Sequence, residues 1–338
     1  MISIQENTSL KPYNTFGIDV KTKYFIEYSS VEELEIFLTG DLFSKNRHLH
    51  IGSGSNLLFL KDFEGIVLHS KIKFIEKENE TDNFVLLRVG AGVIWDDFVK
   101  YCVANNLYGV ENLSLIPGET GAAAVQNIGA YGVEIKDHIE MVETVEIPTG
   151  NTRKFSYSEC KYGYRKSIFK ENLKGQYIIT HVFFRLNKLP DFKLEYQHLK
   201  ETVIKNGGIT LQNVRDIIIA IRQSKLPDPA ETGNAGSFFM NPVIVTNKYR
   251  ELKQIYPGIP HYTVSETEEK IPAGWLIEQC GWKGKRVGNV GVHQNQALVI
   301  VNFGNATGKE IAEIASQIQA DVSKKFGIDI IPEVNYIE

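Results

Sequence analysis

Three cysteines, three methionines and three tryptophans are all that the 338 residues contain of those types. Cys102, Cys160 and Cys280 are odd in number, widely spaced and form no C-x-x-C pair, so neither a disulfide framework nor a zinc ribbon is indicated. No apolar run reaches the ~18 residues that a bilayer span needs; Ile217–Ile221 is the longest near candidate. The opening stretch, Met1 to Lys11, has no apolar segment of the secretory kind. Positive charge is not in excess: 37 Lys and Arg against 41 Asp and Glu leave −4, which argues against a nucleic-acid surface. The eight histidines lack metal-ligand spacing, and His48 and His50, flanking Leu49 on one strand face, are read as structural. Internal repeats and low-complexity tracts are missing as well. What remains is an ordinary globular composition, 43% hydrophobic and 23% charged, expected in a reducing cytoplasm.

A chain of this length has room for two or three domains and buries roughly three-quarters of its unfolded surface. Its most unusual stretch runs from Ile116 to Gly132, I-P-G-E-T-G-A-A-A-V-Q-N-I-G-A-Y-G, with four glycines and four alanines. Such small residues offer little apolar area to bury, but glycine lets another group come close to the backbone. The stretch reads as half of a cofactor cradle, main-chain N–H groups lying against a flat or anionic ligand. The competing reading is a loop and helix packed tightly under a neighbouring strand.

A second glycine-rich turn, Gly52-Ser53-Gly54-Ser55-Asn56, lies between a strand at His48–Ile51 and an apolar run at Leu57–Leu60. A dinucleotide-binding fingerprint needs a helix after the turn and a third glycine where Leu57 stands, so this is not one. A glycine-serine turn between strands still suits a pyrophosphate, and the alternative is a flexible hairpin loop.

Ser30 and Glu33 predict a capping box opening a helix to about Leu38, and Trp95–Asn105 has helical spacing. Thr210 caps a helix to Gln223 with Val214, Ile217, Ile218 and Ile221 inward. Thr307 with Glu310 starts a long helix carrying Ile311, Ile314, Ile318 and Val322, ended by Gly327. Strands are expected at Lys23–Tyr28, Phe84–Val89, Tyr177–Leu186 and Leu298–Asn302. A hairpin is expected from Met141–Ile147 through the Pro148–Asn151 turn to Phe155. Lys225-Leu226-Pro227-Asp228-Pro229 marks a domain boundary. Sheets and helices in blocks indicate an α+β chain.

Candidate chemistry is sparse. Arg165, in Tyr162-Gly163-Tyr164-Arg165-Lys166-Ser167, can clamp a carboxylate with its guanidinium fork, or simply stack on Tyr164. Ser237, in Gly236-Ser237-Phe238-Phe239, can donate a proton if a partner tunes it; no G-x-S-x-G elbow surrounds it, and a turn hydroxyl is the plainer reading. Glu333, in Ile331-Pro332-Glu333-Val334, becomes an acid only if buried.

Five separated motifs, Asn14–Gly17, Gly52–Phe59, Pro117–Gly132, Gly233–Pro242 with Lys225–Pro229, and Pro332–Glu333, follow one another in an order that resembles the UDP-N-acetylenolpyruvoylglucosamine reductase family over nearly the whole chain. The resemblance implies an FAD-binding fold of the vanillyl-alcohol-oxidase type built from two α+β subdomains, plus a C-terminal α+β substrate domain. The implied division is 1–70 with 328–338, then 71–224, then 225–327, the last strand of the chain returning to the N-terminal part.

By the same resemblance, Gly52, Ser53, Gly54, Ser55 and Asn56 contact a non-covalent FAD together with Pro117, Gly118, Thr120, Gly121, Ala122, Gln126, Asn127, Gly129, Ala130 and Tyr131. Arg165 and Glu333 flank the enolpyruvyl carboxylate of UDP-N-acetylglucosamine enolpyruvate and stabilise an enolate as hydride passes from flavin N5 to C3. Ser237 gives the proton to C2, and UDP-N-acetylmuramate results. NADPH is the co-substrate in ping-pong order. Tyr131, Tyr164, Lys225, Asn241 and Gln296 contact the UDP-sugar. Tyr196, in Leu194-Glu195-Tyr196-Gln197, resembles the mobile tyrosine of the longer subclass. Met240 departs from the family's usual lysine before Asn-Pro. A monomer is expected, without nucleic-acid or membrane partners. Two rival readings are a small-molecule alcohol oxidase on the same flavin fold and a flavin-binding protein without turnover.

Overall fold

The structure, a computed structural model, describes residues 2–196 and 198–338; Met1 and Gln197, the latter closing the Leu194–Gln197 segment quoted above, lie outside the described residues. The chain divides into two compact units. One comprises Met1–Thr8, Thr22–Ser53 and Glu64–Arg222, the other Ser9–Lys21, Gly54–Phe63 and Gln223–Glu338.

In the first unit, a five-stranded antiparallel sheet has the order Thr152–Ser156, Ile139–Glu146, Tyr177–Asn187, Phe84–Gly90, Ile75–Glu80. The central strand Tyr177–Asn187 is buried almost without interruption, because both of its edges are paired and both faces covered. Its neighbour Phe84–Gly90 alternates in burial, and the edge strand Ile75–Glu80 is mostly exposed and carries Glu76, Lys77 and Glu80, charges that discourage further pairing. Helix Trp95–Ala104 lays Trp95, Phe98, Val99 and Cys102 onto this core, and the Phe98 and Phe184 rings meet at 4.6 Å. The Trp95 indole N–H reaches the Leu113 carbonyl at 2.8 Å, so burying the ring strands no polar atom. A second sheet, in the order Ser3–Ser9, Lys21–Tyr28, Phe63–Ser70, His48–Ile51, packs with helix Val31–Leu38 around Ile26, Leu34, Ile66 and Leu68.

The predicted capping box at Ser30 forms only in part. The Ser30 hydroxyl accepts from the Glu33 N–H at 3.2 Å, but the Glu33 carboxylate takes the N–H of Ser29, one residue upstream, at 2.9 Å. Helix Leu211–Lys225 begins after Thr210, whose hydroxyl accepts from the Asn213 N–H, and runs two residues past Gln223, stopping ahead of Pro227. The expected hairpin is present, with Val145 opposite Thr152.

In the second unit, Gly233–Asn234, Ile300–Asn302, Val290–Val292 and Arg286–Val287 form an antiparallel sheet, and Val243–Val245, Glu268–Lys270 and Tyr262–Thr263 a smaller one. Helix Gly308–Phe326 starts in the full Thr307–Glu310 capping box and ends on Gly327 in the left-handed region, as its sequence predicts. A side chain at Gly308 would sit 1.8 Å from the Phe59 carbonyl, so only glycine allows this helix to rest on that strand. The last strand, Asn335–Ile337, pairs in parallel with Leu57–Phe59, the long-range return that the resemblance implies. Among the described residues no helix is long and apolar enough to cross a membrane.

Candidate functional site

The small-residue stretch folds into helix Thr120–Gln126 between two glycine-bearing turns, with Gly118 at φ 136 and Asn127 in the left-handed region at its C-terminus. Its first N–H groups are not all available to a ligand. Thr120 donates to Val93 and Gly121 to Ala91, at 2.9 and 3.0 Å. A Cβ on Gly121 would lie 2.7 Å from the Ala91 Cβ, so part of the smallness serves close packing, which the sequence offered as the competing reading. At the other end, Asn127 bridges elements. Its Nδ2 donates to the Gly163 carbonyl at 2.7 Å and to Glu134, while its Oδ1 accepts from the Lys136 N–H.

Gly52 packs against this helix: a side chain there would meet Glu119 Oε2 at 3.2 Å and the Ala122 Cβ at 3.3 Å. Next to it, the Ser53 hydroxyl is buried with no hydrogen-bond partner among the described residues. A buried orphan oxygen costs about 1–3 kcal/mol unless something satisfies it. An oxygen-rich ligand lying along this turn would do so.

Arg165, at φ 57, reaches back to the same loop. Its Nη2 donates to the Gly129 carbonyl at 2.6 Å and its Nη1 to Asn127 at 3.4 Å, while the guanidinium lies 5.0 Å from the Tyr164 ring centre. The stacking on Tyr164 offered as one reading of Arg165 is therefore present, and its guanidinium also reaches the carbonyls at the end of the small-residue stretch. Ser167 anchors the loop through the Val125 carbonyl at 2.6 Å. Tyr131, at φ 48, packs edge-on to Tyr196 with ring centres 5.6 Å apart.

Residues that sequence reasoning passed over hold this arrangement. Asn112, fully buried, donates from Nδ2 to the carbonyls of both Tyr131 and Lys193, tying the end of the cradle to the segment that bears Tyr196. Asp96 accepts both Arg215 nitrogens, at 2.8 and 2.7 Å, and the Leu115 N–H at 2.6 Å. Burial works to raise the Asp96 pKa, but the bonds from Arg215 and Leu115 and the Arg215 and Arg222 charges outweigh it and hold it below the usual range. Arg222 has its Nε buried without a hydrogen-bond partner among the described residues; burial pulls its pKa down and the Tyr131 hydroxyl opposes that pull. Nothing local marks these side chains, since each acts on a partner distant in sequence.

In the second unit four motifs converge. Asn14 closes its own turn, donating to Leu10 and Ile18 carbonyls and accepting the Ile18 N–H. Gly54, at φ 65, allows a close approach to that turn, because a Cβ would lie 2.0 Å from the Tyr13 carbonyl oxygen. Gly233 similarly abuts the Phe16 carbonyl, and Asn234 donates its backbone N–H to Thr15 at 2.9 Å. From there Phe238–Met240 runs antiparallel to Ile331–Glu333: Met240 N–H donates to Ile331, and Glu333 N–H to the Phe238 carbonyl at 2.8 Å. Asn56 Nδ2 donates to the Glu333 carbonyl at 3.1 Å, linking the glycine-serine turn to the same corner.

Ser237 is exposed, between Gly236 at φ 64 and the buried Phe238. Glu333 is half-buried. The chain thus brings the segments bearing Ser237 and Glu333 alongside one another through an isolated antiparallel bridge, Phe239 to Pro332. Asn241 Oδ1 accepts from the Ala273 N–H at 2.9 Å, which leaves its amide donor as the group to offer a ligand oxygen. Gln296 Oε1 lies 3.2 Å from where a Gly274 side chain would be, and Lys225 is exposed.

Residues 26–156 match the family description FAD binding domain, and residues 228–337 match UDP-N-acetylenolpyruvoylglucosamine reductase, C-terminal domain. The UDP-N-acetylenolpyruvoylglucosamine reductase of Bacteroides fragilis is 52% identical over 334 residues, covering 99% of this chain and 100% of its own. That of Flavobacterium johnsoniae is 48% identical over 339 residues, with the same coverage. Among solved structures, the reductase of that name from Thermus caldophilus superposes with a TM-score of 0.71 at 22% identity, covering 100% of both chains. The 6-hydroxy-D-nicotine oxidase of Arthrobacter nicotinovorans superposes with a TM-score of 0.56 at 15% identity, over 97% of this chain and 86% of its own. The structural likenesses speak to the fold, and the fold class expected from sequence stands: an FAD-binding domain of the vanillyl-alcohol-oxidase type joined to a C-terminal α+β domain.

Proposed function

The chain belongs to the UDP-N-acetylenolpyruvoylglucosamine reductase family, and on that footing we propose that it takes reducing equivalents from NADPH to convert UDP-N-acetylglucosamine enolpyruvate into UDP-N-acetylmuramate, a peptidoglycan precursor. It acts as a cytoplasmic monomer. The observation that most supports the reading is the antiparallel backbone contact joining Phe238 to Glu333, which brings the segment bearing Ser237 alongside the segment bearing Glu333.

Gly52–Asn56, with Pro117, Gly118, Thr120, Gly121, Ala122, Gln126, Asn127, Gly129, Ala130 and Tyr131, holds FAD without a covalent bond. The orphan Ser53 hydroxyl in this glycine-rich turn fits a pyrophosphate. When bound, the cofactor supplies the hydride chemistry that no side chain of this protein can.

The chain's own residues do the rest. Ser237 holds a proton on Oγ and delivers it to C2 of the enolpyruvyl group. Arg165 binds the substrate carboxylate and, with Glu333, stabilises the enolate that develops beside it. Charge that appears only during reaction is where such preorganised groups act most strongly. Arg165 is held for this by the Asn127 and Gly129 carbonyls and by its stacking on Tyr164. Tyr131, Tyr164, Lys225, Asn241 and Gln296 bind the UDP-sugar, and Tyr196 folds over it and excludes water.

Incubation of the purified protein with NADPH and UDP-N-acetylglucosamine enolpyruvate, followed by mass spectrometry, tests the reading. A product heavier by two hydrogens supports it; recovery of unchanged substrate beside a flavin that NADPH has reduced contradicts it.

A further inference from the structure

Behind the helix Thr120–Gln126 lies a buried ionic chain that the mechanism above does not use. His69 Nε2 is 2.9 Å from Glu119 Oε1, and His69 Nδ1 is 3.0 Å from Glu27 Oε1. Lys71 Nζ reaches the same Glu27 oxygen at 2.9 Å. His69 and Glu119 are 5% and 3% exposed, so water does little to offset their charges. An ionised carboxylate only accepts, so an imidazole lying between two of them satisfies both contacts only when both of its nitrogens carry protons.

Glu119 is the residue before the helix, yet its side chain caps no backbone N–H. It points to His69 on one oxygen and lies against Gly52 on the other, 3.2 Å from where a Cβ would be. A carboxylate beside a turn that holds a diphosphate opposes binding, and in a buried site that repulsion is weakly screened. We propose that His69 is a positioning residue for the cofactor: it binds one oxygen of the Glu119 carboxylate and offsets the charge that the other oxygen brings against Gly52, so that an anion can bind at the Gly52–Ser53 turn. The inference rests on the reading that this turn holds the FAD diphosphate. The other titratable groups packed here are Tyr28 and His50, whose hydroxyl and Nε2 are 2.7 Å apart. Burial, aided by the charge of His69, takes the His50 pKa down to about 3, so His50 supplies no second cation.

The test is FAD dissociation from the full-chain holoenzyme, read as recovery of flavin fluorescence on dilution, with circular dichroism as the fold check. His69→Gln removes the cation at similar volume and is expected to weaken FAD binding about tenfold or more. Glu119→Gln is expected to bind FAD as tightly as the parent or more so, and His69→Gln with Glu119→Gln to return to within about threefold of the parent. A purely structural role would make the double variant at least as weak as His69→Gln, and that result overturns the proposal. So does unchanged affinity in His69→Gln. If His69→Gln does not fold, Glu119→Gln alone decides: equal or tighter binding supports the proposal and weaker binding overturns it. Ser53→Asp separates the two levels of argument. Should it leave FAD affinity intact, the turn is not the diphosphate site; should it abolish binding while His69→Gln has no effect, only the His69 inference fails.

Discussion

Glu333 donates its backbone N–H to the carbonyl of Phe238 at 2.8 Å. That bond, worth about 1 kcal/mol by itself, is flanked by Met240 N–H to Ile331 and by Asn56 to the Glu333 carbonyl. Three segments far apart in sequence therefore meet to fix the backbone that immediately follows the proposed proton donor. Ser237 projects from this corner while Phe238 and Phe239, 0% and 2% exposed, anchor it.

Removing the Ser237 hydroxyl should separate the two half-reactions. In Ser237→Ala, flavin reduction by NADPH should stay within about twofold of the parent, while reoxidation by the enolpyruvyl substrate slows by about a hundredfold or more. Stopped-flow absorbance on each half-reaction checks this. Equal loss in both would take Ser237 out of the proton-donor role.

Tyr196 is 38% exposed and touches Tyr131 edge-on. Such a contact contributes about 0.5–1.5 kcal/mol, so Tyr196→Ala should cost little stability. If the ring closes over the nucleotide, KM for the UDP substrate should rise about tenfold, with the rate of flavin reduction by NADPH unchanged. Steady-state kinetics and thermal melts distinguish this from a residue that only supports the fold.

Gly121 has no room for a side chain, its Cβ position being 2.7 Å from the Ala91 Cβ. Gly121→Val forces helix Thr120–Gln126 away from residues 91–93 and should cost about 1–3 kcal/mol. Purified Gly121→Val should also lose flavin, visible as a lower ratio of visible to ultraviolet absorbance. A variant that keeps full flavin content would mean that the helix position is not critical to the cofactor.

Acid should weaken the first unit through Glu143. Its carboxylate accepts from His181 at 2.9 Å and Arg88 at 3.0 Å. The His181 bond first, then the Arg88 bond against the pull of burial, takes its pKa from 4.5 down to about 2. A lowered folded-state pKa means stability that is fully present above about 4.5 and is lost as pH falls towards 2. Glu143→Gln should therefore flatten the fall of Tm between those values and lower Tm at neutral pH. An unchanged acid slope would show that the group is not linked to folding.

Much of this architecture is legible in residue order. The Thr307–Glu310 box, the Met141–Phe155 hairpin and the inward Val214 and Ile218 depend on neighbours within a few turns, and local chemistry predicts them. The return of Asn335–Ile337 to Leu57–Phe59 came only from the family resemblance, since no local pattern carries a pairing of such separation. Asn14 shows the opposite limit: it stands out as a motif residue, but its work is to close a turn with three hydrogen bonds. His69, Asn112 and Arg215 had no signal at all, because a buried polar residue declares itself only through the partner it meets. At Ser30 the capping rule selected the right helix but the wrong acceptor pairing, as the chain before the helix offered Ser29 instead.

The central claim is that one flavin site serves NADPH and the enolpyruvyl substrate in turn. The most direct measurement is an anaerobic absorbance trace of the purified holoenzyme, given NADPH first and UDP-N-acetylglucosamine enolpyruvate second. The account predicts that the flavin's visible band bleaches on the first addition and recovers on the second, with one substrate consumed per flavin. Bleaching that only oxygen reverses would contradict it and point instead to an oxidase on the same fold.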